Sequence, residues 1–157
     1  MGLTREQVQA VQAQVPPIGL LMAFHGRFGE DAFQVAREYF AQMGKMAGEN
    51  IKRSLNIRGT DATAVAAALN AFLTQVAGVP AAGKVEGNRV ILTNEGFCPV
   101  MEAAKMLNAP WDKVCLNYAL PMFKGMASAI NPKVELEVPE GRYKGDKACK
   151  EVLTVPK

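Results

Sequence analysis

The chain has 157 residues, of which 49% are apolar, 21% charged and 7% aromatic, and a formal net charge of +3. That length suits one domain with its own core, and the apolar fraction is too high for a disordered chain. No apolar run approaches the roughly 18 residues of a membrane span, three cysteines are too few for a secreted disulfide scaffold, and a lone histidine excludes any site needing two imidazoles from one chain.

Met1 to Val15 is polar with no apolar centre, so no signal peptide is expected and the location reads as cytoplasmic. Thr4, followed by Glu6 and Gln7, starts a first helix, with Val8, Val11 and Val15 on one face; Pro16-Pro17 is expected to stop it. Ile18 opens a second helical stretch to about Leu55, broken or bent near Gly26 and Gly29, with Phe33, Ala36, Phe40 and Ala47 on its apolar stripe. Asp61 caps a third, alanine-rich helix over 62–77 that ends at Gly78 and Pro80. Lys84-Val85 and Arg89 to Thr93 flank Glu86-Gly87-Asn88 and read as a hairpin. A helix from Pro99 to about Leu107 follows, then another from Trp111 to Ile130, kinked or restarted at Pro121. Val134, Leu136 and Val138 alternate with Glu135 and Glu137 as a strand, and Ala148 to Val155 is the last strand.

The predicted fold is therefore α+β, one domain over 1–157. Residues 1–80 are helical, and 81–157 run hairpin, two helices, hairpin, giving a small antiparallel sheet of about four strands covered by helices. Basic residues are dispersed and no aromatic stripe accompanies them, so nucleic acid is not expected as a partner, and neither is a membrane. Dinucleotide, P-loop, serine-hydrolase and zinc-protease motifs are all absent.

Chemistry then rests on the cysteines. Pro99 at the first helical position makes Cys98 the residue that caps the helix, facing unpaired N–H groups and the positive end of the dipole, which favours thiolate. Cys115 shares a helix face with Trp111, Tyr118 and Met122 and reads as core. Cys149 alternates onto one face with Glu151, Leu153 and Val155. His25 is the only imidazole available to a cysteine nucleophile, Asp146 is a further proton carrier, with Glu95 and Glu102 as other candidates, and Arg27 or Arg37 suits a substrate carboxylate.

Several short segments together resemble the L-2-amino-thiazoline-4-carboxylic acid hydrolase-like family. They are Gly29-Glu30-Asp31-Ala32, Phe97-Cys98-Pro99-Val100-Met101-Glu102-Ala103-Ala104, Trp111-Asp112-Lys113-Val114-Cys115, Asn131-Pro132 and Gly145-Asp146-Lys147-Ala148-Cys149. The order of elements also looks like 4-vinyl-reductase-type domains. The resemblance implies opening of a cyclic amidine-like ring by water, with Cys98 and Cys149 at the matching positions and Cys115 less so. The leading expectation is accordingly a small-molecule hydrolase for a carboxylate-bearing heterocycle. It would use Cys98, Cys149, His25 and Asp146 in catalysis, Arg27 and Arg37 in binding, and no cofactor. The alternative is a redox or ligand-binding module in which Cys98, Cys115 and Cys149 hold zinc, an iron–sulfur cluster or a cofactor. A third reading is a structural domain that pairs with a second copy through its Met-rich helices.

Overall fold

Thr4 starts the chain's first helix by a reciprocal pair of hydrogen bonds: its Oγ1 accepts from the Gln7 N–H (3.2 Å) and its own N–H donates to Gln7 Oε1 (2.9 Å). The computed structural model describes residues 2–157, and in it this helix, α1, runs over Arg5–Phe28. It passes straight through Pro16 and Pro17, where the sequence predicts a stop. Proline inside a helix costs about 3 kcal/mol. Burial of Val11, Ile18 and Leu21 against its neighbours offsets that, at about 1.5–3 kcal/mol for each such side chain. The break falls at Gly29, whose φ of 66° is one that glycine adopts without strain, and not at Gly26.

Helix α2 (Glu30–Ser54) buries Phe33, Ala36, Phe40, Gly44 and Gly48. Helix α3 (Ala62–Ala71) is capped as expected, Asp61 Oδ1 accepting from the Ala64 N–H at 2.9 Å, and continues into a π-helical turn over Phe72–Val76. Strands β1 (Lys84–Glu86) and β2 (Arg89–Asn94) form the predicted hairpin, closed by Glu86 opposite Arg89. Helix α4 (Pro99–Met106) starts at Cys98. The next helix is not uniform. One turn, α5 (Trp111–Val114), passes into a π-helical turn over Cys115–Ala119 and then into α6 (Leu120–Ser128).

Strands β3 (Glu135–Glu140) and β4 (Cys149–Thr154) complete a four-stranded sheet of order β1-β2-β4-β3, antiparallel throughout. This is the α+β architecture expected. Strand β3 lies at the edge with Pro139 in it, where a missing N–H costs no ladder bond. On the inner face Val90, Leu92 and Asn94 of β2 lie opposite Leu153, Glu151 and Cys149 of β4. A carboxylate thus sits in the middle of an otherwise apolar, core-facing row.

The helices pack through small residues. A Cβ on Gly44 would run into the Met122 backbone, and one on Gly125 into the Ala41 carbonyl; one on Gly48 would lie 2.5 Å from Met126 O. Such close approach ties α2 to α6. The core divides into three clusters: α3 with β2, β4 and α6; α1 with α2, α4 and the α5 turn; and a small one around Leu73, Val79, Ala81 and Leu92. No helix among the described residues is long and apolar enough to cross a membrane.

Candidate functional site

A cavity of about 140 Å³ opens where these three clusters meet. Phe72 and Leu73 from the first π-helical turn, Val79, Leu92, Val100, Met122 and Phe123 make its apolar wall. Cys98, Cys115 and Cys149 all line it, together with Trp111, Arg142 and Glu151. A larger groove of about 670 Å³ lies over the α2–α6 seam, but it is open, holds no cysteine, and is bordered by Lys45, Glu49 and Lys124.

Local structure places each polar group. Asn94 shapes the entry to α4: its Oδ1 accepts from the Gly96 N–H (2.9 Å) and its Nδ2 donates to Phe97 O (3.2 Å). Arg142 begins a short 3-10 turn (Arg142–Lys144) between β3 and β4 and donates from Nη1 to Gly96 O at 2.7 Å, closing that turn onto the α4 entry. The Arg142 N–H donates to Cys149 Sγ at 3.4 Å. Its Nε and Nη2, together with Trp111 Nε1 and Glu151 Oε2, are sealed from solvent and have no hydrogen-bond partner among the described residues. Unpaired buried polar atoms are uncommon and costly, so this group is the chemically unusual part of the molecule.

Electrostatics at the site are set mainly by burial. The nearby backbone N–H groups of Met101 and Val100 and the positive charge of Arg142 act to lower the Cys98 pKa, as a helix start predicts, although the thiol makes no capping hydrogen bond. Burial outweighs them, and the net shift is upward. The expected thiolate is therefore corrected: Cys98 rests as a thiol. Cys115 is also pushed up, by burial first and then by the other two cysteines and Glu151. Burial also raises Glu151, to about 7, with Arg142 opposing it only weakly because no direct ion pair forms among the described residues. Tyr118 is pushed up to about 12 by burial, and its hydroxyl donates to Gln14 Oε1 at 2.5 Å.

The structure brings the three cysteines to one cavity and leaves the other sequence candidates outside it. His25 stacks on Phe33, with ring centroids 4.1 Å apart, and its Nε2 lies 3.4 Å from Glu30 Oε1 at the α1–α2 corner. Asp146 accepts from the Gly141 N–H (2.8 Å) and holds the β3–β4 loop. Arg27 is exposed in the last turn of α1, and Arg37 donates to Asn117 Oδ1 at 2.6 Å. Among the described residues, no group of three His, Cys, Asp or Glu side chains is placed to hold a metal ion. Sequence reasoning missed Arg142 and Trp111. Glu151 was legible in principle, because it alternates onto the same face as Cys149 and Leu153.

No family model matches the chain, and no curated protein matches it either. Among solved structures it is similar to a trafficking protein particle complex subunit 3 from Naegleria fowleri, described as covalently bound to palmitic acid. The identity is 9%, the TM-score 0.59, and the match covers 96% of this chain and 97% of that one. At such low identity the likeness carries the fold. It overturns the hydrolase reading and the carboxylate-bearing substrate that went with it: the fold neighbour is a subunit of a protein complex, and no comparison supports the L-2-amino-thiazoline-4-carboxylic acid hydrolase-like family. Geometry gives the physical reason, since burial holds Cys98 and Cys115 as thiols and the proposed proton carriers and arginines lie away from them. No comparison supports the three-thiolate metal alternative either.

Proposed function

We propose that the protein is a non-enzymatic assembly module that shelters an apolar acyl chain in its cavity and meets a protein partner through α1 and α2. The observation that carries this reading is the cavity itself, an apolar space left inside a core that is elsewhere closely packed. At about 140 Å³ it has the scale of an engineered cavity that binds benzene, about 150 Å³. It therefore takes the first several carbons of a chain, and more as the pliable Met122 and the rings of Phe72 and Phe123 turn aside. The fold neighbour, a complex subunit carrying palmitic acid, supports both halves of the proposal. A cytoplasmic location accompanies it.

The partner half rests on two exposed apolar stripes at helical spacing: Leu20, Phe24 and Phe28 on α1, and Val35, Tyr39, Met43 and Met46 on α2. Phe28 is 58% exposed and Tyr39 55%, an unusual cost for an isolated domain. Native mass spectrometry after incubation with saturated fatty acids tests the first half. A one-to-one adduct that Leu92→Trp abolishes is expected, and no adduct with any chain length overturns it. Sedimentation velocity tests self-association through these stripes. A dimer that Phe28→Glu and Tyr39→Glu together dissociate supports it, and a monomer at all concentrations removes it.

A further inference from the structure

Four polar atoms of residues that line one cavity have no partner among the described residues, and three of them are donors: Arg142 Nε, Arg142 Nη2 and Trp111 Nε1. Donors sealed from water and left unpaired cost free energy in the empty protein, and a ligand atom that accepts from them recovers it. The remaining wall is apolar, supplied by residues such as Leu73, Leu92 and Phe123. One end of the cavity therefore suits a hydrogen-bond acceptor and the rest suits hydrocarbon. Arg142 is fixed in this role, because its third nitrogen, Nη1, is anchored to Gly96 O at 2.7 Å.

We propose that Arg142 and Trp111, with Glu151 beside them, form a head-group site that receives the carbonyl oxygen of an acyl-chain ligand held without a covalent bond. This rests on the reading that the cavity holds an acyl chain, and it adds which end of the chain is recognised and by which atoms. Glu151 modulates the site. Facing it are Arg142 from the 3-10 turn, Cys115 from the π-helical turn, Cys98 at the start of α4 and Cys149 on its own strand. Of these only Arg142 carries a fixed charge. An uncharged Glu151 leaves the guanidinium free for the ligand, whereas an ionised one competes with the carbonyl oxygen for it and repels an anionic head.

Isothermal titration calorimetry on the intact protein separates the possibilities, using decanoic acid, methyl decanoate and decane. The first two present a carbonyl as free acid and as ester, and the third has the same chain with no acceptor. Both carbonyl ligands are expected to bind about ten-fold tighter than decane, the scale of one or two hydrogen bonds to a charged donor. Arg142→Met should bring them down to the decane level and leave decane unchanged. Trp111→Phe serves as the second variant should Arg142→Met not fold, with a smaller loss of the same pattern. Decanoic acid should also weaken as pH rises through about 7, and Glu151→Gln should flatten that profile. Equal binding of decane and decanoic acid, or carbonyl ligands unaffected by both variants, overturns the head-group site while leaving the acyl cavity intact. Decanoyl groups that stay on the protein after denaturation overturn the non-covalent mode. Failure of all three ligands to bind overturns the cavity reading, and this proposal with it.

Discussion

Replacing Glu151 with glutamine should make the protein more stable, and increasingly so as pH rises. Glu151 sits on the inner face of β4 opposite Leu92, and burial lifts its pKa from an ordinary 4.5 to about 7. Between those two values the folded protein keeps a proton that the unfolded chain has released. Stability is therefore fullest below about pH 4.5 and falls as pH rises, with the whole contribution lost above about pH 7. A shift of that size corresponds to about 3 kcal/mol. Glutamine is uncharged at every pH, so Glu151→Gln should match the parent near pH 4 and exceed it by about 3 kcal/mol at pH 8.5. In a domain of this size that is roughly 6–12 °C in Tm. Urea unfolding followed by Trp111 fluorescence provides the assay, since the chain has one tryptophan and it lines the cavity. A difference between the two proteins that does not change from pH 4 to 8.5 would refute the reasoning, as would a variant less stable at the upper end.

Gly125→Ala should destabilise by about 1–3 kcal/mol in urea, because its methyl meets the rigid Ala41 carbonyl, and the gain of up to about 1 kcal/mol in helix propensity does not compensate; equal or higher stability would show that α2 and α6 can separate freely. Cys98 should alkylate with iodoacetamide at pH 7.5 more slowly than free glutathione, burial having raised its pKa, with all three cysteines reacting once guanidinium unfolds the chain; fast labelling of native Cys98 would mean that the helix start governs it after all. Asp61→Ala should cost about 1 kcal/mol by removing the cap on the Ala64 N–H, and an unchanged urea midpoint would count against the cap.

Features governed by nearby residues were readable from the sequence. The Asp61 cap, the Glu86-to-Arg89 turn, the break at Gly29 and the start of α4 at Cys98 each depend on backbone conformations that a few adjacent residues dictate. What eluded sequence reasoning depends on distant parts of the chain. Pro16-Pro17 looks like a stop until Val11, Ile18 and Leu21 are seen buried on both sides of it. Cys98 has the local setting of a thiolate, and only the surrounding elements, contributed from residues 72 to 151, reverse the sign of its shift. Arg142 carries no sequence signal, because its partner Gly96 lies far away in the chain. The alternation of Glu151 with Cys149 and Leu153 is visible in the sequence, but that this face is the buried one depends on the pairing of β4 with β2.

The π-helical turn at Cys115–Ala119 fits one more residue into a turn than an α-helix does, and every residue after it inherits that offset. Removing a single residue there would restore a plain α-helix and rotate α6 by about 100° relative to α5. Gly125 would swing away from Ala41, and a bulkier neighbour would be driven into the seam. The same turn supplies Cys115, Tyr118 and Ala119 to the cavity wall. Phasing of the helix pair and shape of the interior thus hang on one inserted position, so the chain cannot gain or lose a residue at that point and keep either.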